Sequence, residues 1–189
     1  MNILIVTAHP SSKGDTHTIA NTYRDAKVAK GHDVKIVDLY SEEYKVDLFR
    51  FENIREFQIS PVQKKFHEQI QWAHELVLVH PVWWGVPPSI MKNWAELTFW
   101  PGVAYKYTPD GKVNRLLLGK TAKIFATSGG PSWYYHFLIL PLKSFWELCL
   151  LGFCGIDVVD LKVCGNMDKW KGEKREKHFQ KFLQKIKNS

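Results

Sequence analysis

The sequence predicts an α/β fold, a doubly wound five-stranded parallel sheet with helices on both faces. Two observations support this: short unbroken runs of isoleucine, valine and leucine recur along the chain, and segments with helical spacing of apolar residues lie between them. Such alternation is typical of parallel strands joined by right-handed crossovers. The chain has 189 residues, 45% of them hydrophobic, so residues 1–189 are expected to form a single domain.

The strands are predicted from their composition. The first apolar run starts at once and is nearly continuous, as expected of a strand covered on both faces. The five predicted strands cover residues 1–7, 34–39, 76–80, 121–127 and 156–163.

The helices are predicted from apolar residues that recur on one face. They cover residues 19–28, 61–73, 145–151 and 172–187, with a further helix that begins near Ser89. The segment 40–60 is expected to be an ordered connection carrying a short helix. With this alternation the natural strand order is 2-1-3-4-5, which is the flavodoxin-like order.

Charge and cysteine content exclude some classes of function. The net charge is +7, and the basic residues concentrate after residue 162, where they fit the solvated face of an amphipathic helix. No nucleic-acid motif accompanies them, so no nucleic-acid partner is expected. There is no CxxC pair among Cys149, Cys154 and Cys164, and the histidines show no HxxxH spacing, so no metal site is expected. An odd number of cysteines without such a pair suits the reducing cytoplasm, which is the expected location.

No targeting or membrane segment is predicted. The amino terminus enters a strand directly, without the pattern of a signal peptide. The apolar stretch 137–154 is interrupted by Pro141, Lys143 and Glu147, and it is shorter than the ~20 residues that span a bilayer. A buried helix or a subunit interface accounts for it better.

The most informative segment is residues 81–88, at the carboxyl end of the third strand. Trp83 and Trp84 are adjacent, and two neighbouring indoles cannot both pack in one direction. Pro87 and Pro88 stiffen the backbone before the next helix. Ligands bind at the carboxyl ends of strands in open α/β sheets, so a rigid aromatic wall of a ligand site is predicted. The alternative is a loop whose tryptophans cap the core.

Two further loops at the same predicted edge look specialised. Residues 8–18 are rich in hydroxyl groups before a helix whose cap is predicted at Asp15 or Thr16, which suits a phosphate; a simple capping loop is the alternative. In residues 127–135 the pair Gly129 and Gly130 lets backbone approach a flat ligand, although a plain glycine turn has the same composition. A phosphate end, an aromatic wall and a glycine platform together outline a flavin site.

These segments resemble the NAD(P)H:quinone oxidoreductases of the flavodoxin-like superfamily, which include DT-diaphorase-type enzymes and bacterial modulators of drug activity. The resemblance spans the chain through the motifs AHP at residues 8–10, PVWW at residues 81–84, PSIMKNW at residues 88–94 and TSGGP at residues 127–131. It implies a flavin site built from His9, Thr16, His17, Thr18, Pro81, Val82, Trp83, Trp84, Thr127, Ser128, Gly129, Gly130 and Tyr135.

The resemblance also implies the chemistry: ping-pong hydride transfer from NAD(P)H through the flavin to a quinone or similar flat acceptor. Tyr135 and His136 are the implied catalytic proton donors near the flavin N1/O2 region. The first loop resembles that of FAD-binding members, which favours FAD, with FMN as the alternative. A homodimer is implied with the active site at its interface, covered by Tyr105, Tyr107 or residues 49–51 of the second subunit.

The chain departs from the family pattern at two positions. Pro141 stands where long-chain quinone reductases carry a histidine, and Gly85 stands where they usually carry an aromatic residue. Two alternative functions remain open: an ancillary regulatory reductase of a potassium-efflux transporter, and a broader reductase of nitro compounds, azo dyes or free flavin.

Overall fold

The computed structural model describes residues 1–137 and 141–189, with all of their side chains except those of Arg55, His136, Phe137 and Pro141. Its seven strands are β1 (Asn2–Thr7), β2 (Asp33–Asp38), β3 (Glu75–Pro81), β4 (Tyr105–Tyr107), β5 (Val113–Arg115), β6 (Thr121–Thr127) and β7 (Asp157–Cys164). Five of them form one parallel sheet in the order β2-β1-β3-β6-β7. The predicted flavodoxin-like order 2-1-3-4-5 is confirmed.

The helices are α1 (Asp15–Val28), α2 (Pro61–Trp72), α3 (Ser89–Thr98), α4 (Ser132–Phe137), α5 (Pro141–Ser144), α6 (Gly152–Cys154) and α7 (Gly172–Lys187). The helix predicted over residues 145–151 exists, but it is a π-helical segment, Phe145–Leu151, that joins α5 to α6. No helix in the described ranges is both long enough and apolar enough to cross a membrane.

Each face of the sheet has its own core, because alternate residues of a strand point to opposite faces. On β1, Ile3 and Ile5 pack with α1 and α7, while Leu4 and Val6 belong to the core formed with α2, α3 and the π-helical segment. All four side chains are buried, which explains the unbroken apolar run of this strand.

Helix boundaries follow local capping chemistry. Ser60 caps α2, since its Oγ accepts from the backbone N–H of Gln63 at 3.1 Å, and Pro61 supplies the first helical residue. Helix α1 begins at Asp15, four residues before its predicted start at residue 19. The prediction relied on apolar spacing, and the first turn of the helix is polar. The connection 40–60 carries two single 3₁₀ turns, Glu42–Tyr44 and Ile54–Glu56, where one short helix was expected.

The hairpin of β4 and β5 was not predicted. Each strand has only three residues, too few for a periodic pattern to appear in the sequence. A turn signal was present between them in Pro109, Asp110 and Gly111. The Gly111 φ of 80° and the bond from the Thr108 N–H to the Lys112 carbonyl, 2.8 Å, show that this signal forms the hairpin turn.

Candidate functional site

The predicted site loops leave one edge of the sheet, where backbone hydrogen bonds join them. The N–H of Ala8 donates to the carbonyl of Val79 at 3.1 Å, which ties the loop after β1 to β3. The N–H of Val82 donates to the carbonyl of Thr127 at 2.7 Å, which ties the loop after β3 to β6. The three loops therefore form one continuous edge, at the position where open α/β sheets bind ligands.

In the first loop, α1 presents its amino terminus without a side-chain cap. Gly14 is the N-cap residue, so the prediction of a cap at Asp15 or Thr16 is wrong. A side chain at Gly14 would collide with the His9 ring, because a Cβ there would lie 2.5 Å from Nδ1 of His9. Uncapped N–H groups at a helix start attract anions, as the phosphate prediction requires.

The side chains of this loop divide into buried and accessible groups. His9 and His17 are half-buried, with ring centroids 6.3 Å apart in an edge-to-face arrangement. Nδ1 of His9 accepts from the N–H of Ser11 at 3.1 Å. Thr18 is exposed, whereas Thr16 is buried and its Oγ1 has no hydrogen-bond partner in the described structure. The Thr16 hydroxyl is thus closed to a ligand in this conformation, and Thr18 offers the accessible one.

The aromatic loop closes in a tight turn. Trp83 and Val86 exchange two backbone hydrogen bonds of 3.0 and 3.1 Å. The two residues between them have positive φ, 53° at Trp84 and 82° at Gly85, as in a type I′ turn. Glycine at position 85 is therefore demanded by the turn, which gives a backbone reason for this departure from the family pattern.

The two tryptophans project from this turn into solvent. Trp84 is fully exposed and Trp83 is 42% exposed, so neither caps the core. A bulky residue in the left-handed region is strained, at a cost of roughly 1–2 kcal/mol. Strain combined with an exposed indole indicates that this turn is built to present aromatic surface.

The glycine platform is held by a fourth loop, which the sequence reasoning missed. The N–H of Asn166 donates to the carbonyl of Gly130 at 2.8 Å, and that of Met167 donates to the carbonyl of Ser128 at 3.0 Å. The Asp168 carboxylate occupies the space that a Cβ on Gly129 would fill. The pair Gly165 and Asn166 was a detectable turn signal after the last strand, but its contacts with residues 128–130 are not local.

The predicted proton donors lie next to this platform in sequence. The Tyr135 hydroxyl lies beside Gly130, 3.1 Å from where a Cβ of that glycine would be. Its ring is half-buried and stands edge-on to Tyr134, with centroids 5.7 Å apart. The side chain of His136 lies outside the described part of the structure.

A buried histidine precedes the aromatic loop and was also missed. His80 is fully buried; its Nδ1 lies 2.8 Å from the Pro81 carbonyl, and its Nε2 accepts from Nε1–H of Trp146 at 3.1 Å. This pattern defines a neutral ring protonated on Nδ1. Burial lowers the pKa of His80 to about 4. A polar residue at the end of an apolar strand was the available signal.

The structure also contains a cavity that does not coincide with these loops. Its volume is about 730 Å³, and it is lined by residues of the connection after β2 together with the start of α2 and Leu97. None of its lining residues belongs to the three loops. The candidate site is therefore an open edge of the protomer.

The features of the edge fit a flavin nucleotide. Ser11, Ser12 and Thr18 are exposed in the loop that leads to and opens the uncapped start of α1. Short hydroxyl side chains and free N–H groups at a helix start suit a phosphate. The exposed indoles at residues 83–84 offer aromatic surface to a flat ring, and the glycine backbone at residues 129–130 follows the strand next to theirs.

Comparison with known proteins gives the same assignment. A family model described as a flavodoxin-like fold matches residues 1–189. The chain is 29% identical over 174 residues to an uncharacterized NAD(P)H oxidoreductase of Haemophilus influenzae, covering 88% of this chain and 85% of the relative. It is 27% identical over 191 residues to an FMN-dependent NADH:quinone oxidoreductase of Clostridium beijerinckii, covering 96% and 93%.

Solved structures agree on the fold. Smu.1420 of Streptococcus mutans superposes with a TM-score of 0.83 and 26% identity over the whole of both chains. An NAD(P)H:quinone oxidoreductase of Methanothermobacter marburgensis superposes with a TM-score of 0.80 and 21% identity, covering 100% of this chain and 95% of that one. The predicted resemblance to quinone oxidoreductases is confirmed, whereas the preference for FAD over FMN finds no support in relatives named as FMN-dependent.

Proposed function

Because the chain belongs to the flavodoxin-like fold family, we propose that it is a flavin-dependent NAD(P)H:quinone oxidoreductase. The observation that carries the proposal is the meeting of an uncapped helix start, a strained exposed tryptophan turn and a glycine platform at one sheet edge. A relative named as an FMN-dependent NADH:quinone oxidoreductase, aligned over 96% of the chain, supports the same reaction.

The proposed cofactor is FMN, with FAD as the alternative. FMN is named in relatives that align over 96% and 82% of the chain. It requires a phosphate site, a polyol site and a ring site, and the three loops can supply one each. When bound, the flavin accepts a hydride from NAD(P)H and passes two electrons to the quinone.

The phosphate end is assigned to the first loop. The N–H groups at the start of α1 bind the phosphate of FMN together with the exposed hydroxyls of Ser11, Ser12 and Thr18. His9 and His17 line the same loop and provide further polar hydrogens. Thr16 contributes through its backbone, because its hydroxyl is buried.

The ring end is assigned to the second and third loops. Residues 81–84 frame one edge of the ring, and Thr127, Ser128, Gly129 and Gly130 meet the other through their backbone, with the Asp168 carboxylate beside Gly129. Tyr135 places its hydroxyl beside Gly130, where it donates a proton or a hydrogen bond to charge that develops on the ring. The chain thus orients first NAD(P)H, the electron donor, and then the quinone, the electron acceptor, on the same open face of the site.

The open edge also supports the proposal of a homodimer. A site whose indoles stand free in solvent does not exclude water, and a second subunit would cover it. Of the residues predicted to provide this cover, Tyr105 packs against Phe153 of its own chain at 5.1 Å, whereas Tyr107 is 63% exposed. Tyr107 is the better candidate. We place this single-domain enzyme in the cytoplasm, where reduced cysteines persist.

The decisive experiment is anaerobic absorption spectroscopy of the purified protein after incubation with FMN or FAD and removal of free flavin. A bound flavin spectrum that bleaches on addition of NADH or NADPH, and returns on addition of menadione, establishes both half-reactions. An acceptor series of quinones, azo dyes and nitroaromatics then ranks the substrates by kcat/KM. A protein that retains neither flavin would overturn the proposal.

A further inference from the structure

Pro81 is the residue at which β3 becomes the aromatic loop, and its carbonyl group is held by a neighbouring side chain. Proline has no N–H, so Pro81 cannot donate to the sheet, and the next donor is Val82, whose N–H binds the Thr127 carbonyl at 2.7 Å. The Pro81 carbonyl is held by Nδ1–H of His80 at 2.8 Å. The loop therefore starts from two adjacent fixed points, one of which depends on a side chain.

His80 is held in turn by a second buried side chain, that of Trp146. Nε1–H of Trp146 donates to Nε2 of His80 at 3.1 Å, and the two rings lie 5.7 Å apart. Both side chains are completely buried. A neutral histidine has one donor and one acceptor, so the tryptophan bond leaves Nδ1 as the protonated nitrogen that faces the carbonyl. Trp146 thus sets the tautomer that His80 needs.

Trp146 belongs to an unusual helical element. It lies in the π-helical segment Phe145–Leu151, and π-helical turns are rare and concentrate at functional sites. Phe145 packs on Trp146 with centroids 4.7 Å apart, which restricts the indole further. A wide helical turn is thereby tied through two buried rings to the backbone of the aromatic loop.

From these contacts we propose that His80 and Trp146 are positioning residues that hold the Pro81 carbonyl and so fix the aromatic loop for the flavin ring. The inference rests on the proposed function, because it assigns the loop at residues 81–86 to the cofactor. Neither residue touches the ligand. Their effect is to keep the tryptophan turn in one orientation before the flavin arrives, which reduces the entropy lost on binding.

Two nearly isosteric substitutions separate the two hydrogen bonds of His80. In His80→Asn the amide nitrogen takes the place of Nδ1 and keeps the donor to the Pro81 carbonyl, while the acceptor for Trp146 is lost. In His80→Gln the amide oxygen takes the place of Nε2 and keeps the acceptor, while the donor to Pro81 is lost. FMN dissociation constants are measured by fluorescence titration, and hydrogen exchange of residues 82–86 is measured on the apoprotein.

We expect His80→Gln to weaken FMN binding about five- to tenfold, the loss that one neutral hydrogen bond represents, and to speed exchange at residues 82–86. His80→Asn is expected to stay within about twofold of wild type in affinity. The matched control is His67→Asn, because the buried His67 of α2 binds the carbonyl of Leu97 in α3 through Nε2 at 2.8 Å. It should lower the melting temperature without changing FMN affinity.

The outcomes separate the two proposals. If the wild-type protein binds neither FMN nor FAD, the proposed function fails and this inference fails with it. If the wild type binds FMN and both His80 variants lose affinity equally, the histidine acts only through its volume and the inference alone is overturned. Equal affinity and equal exchange in wild type and His80→Gln would overturn it as well.

Discussion

At the scale of single residues, Trp84 combines backbone strain with complete exposure. Its φ of 53° is unfavourable for a bulky side chain, and folding gains nothing from an indole that stays in water. The residue is therefore unfavourable for the isolated protomer, which suggests that it is kept for a ligand or a partner. Stability and function should then respond to its removal in opposite directions.

Trp84→Gly tests this opposition. Glycine is favoured at both central positions of a type I′ turn, so the variant should gain about 1 kcal/mol of unfolding free energy in the apoprotein. The same change should weaken FMN binding, because aromatic surface beside the ring is lost. Denaturant titration and FMN titration measure the two effects. A variant with wild-type FMN affinity would show that this turn does not contact the flavin.

His80 predicts a pH dependence of stability. Its pKa is about 4 in the folded protein, against 6.5 in the unfolded chain, so the unfolded state binds more protons between these values. The stabilisation is complete above pH 6.5 and declines as pH falls towards 4. We expect a loss of about 2 kcal/mol from pH 7 to pH 5. Chemical denaturation of the wild type and of His80→Asn at both pH values isolates the contribution of His80 to this loss. An equal loss of unfolding free energy in the two proteins would contradict the prediction.

At the scale of elements, the two edges of the sheet perform different tasks. At the amino edge Tyr23 of α1 donates to Glu75 of β3 at 2.6 Å, and Lys123 of β6 pairs with the same carboxylate at 3.1 Å. This buried network ties three elements together at the end of the strands opposite the site loops. At the carboxyl edge, backbone hydrogen bonds join the loops to one another. Changes at the first edge should affect stability, and changes at the second should also affect binding.

Gly165→Ala tests the carboxyl edge. A Cβ at this position would lie 2.7 Å from the Gly130 carbonyl oxygen and 2.8 Å from the carbonyl carbon of Pro131. Backbone atoms cannot rotate away, so the glycine platform must shift. We expect unfolding free energy to fall by about 2 kcal/mol and FMN affinity to fall about tenfold.

The control for this substitution is Glu75→Gln at the amino edge. It should lower stability by a similar amount, since it leaves Lys123 without its buried partner charge. FMN affinity should not change. A loss of affinity in both variants would mean that binding merely follows global stability.

At the scale of the whole molecule, local patterns predicted the five-stranded sheet well, because each of its strands has its own apolar run in the sequence. The aromatic turn, the glycine pair and the helix start were found for the same reason: each is a short segment with unusual composition. His80, Trp146 and residues 166–168 were not found, since their roles depend on contacts between segments far apart in the chain. The cap at Gly14 was missed because the polar residues beside it look like better caps.

The proposed dimer is also a property of the whole molecule, because it depends on exposed apolar surface. Tyr107 and Leu118 are 63% and 69% exposed. Leu118 lies near the amino ends of β6 and β7, within 3.0 Å of where a Cβ on Gly155 would be, and so at the end of the sheet opposite the site loops. Exposed apolar side chains mark surface that a second copy of the chain can cover. Burying a charge there without a partner would be costly, so the interface should not tolerate one.

Leu118→Glu should therefore convert the dimer to a monomer of half its mass in size-exclusion chromatography with light scattering. If the partner subunit covers the flavin, the monomer should also retain FMN less well, because water reaches the ring. Val28→Glu is the control: Val28 is 52% exposed on α1, away from the hairpin, and its replacement should leave the mass unchanged. A wild-type protein that is already monomeric, or a Leu118→Glu variant that stays dimeric, would place the interface elsewhere or remove it. The site would then have to exclude water with its own residues, and the exposed tryptophans at residues 83–84 would be the side chains able to move over the ring.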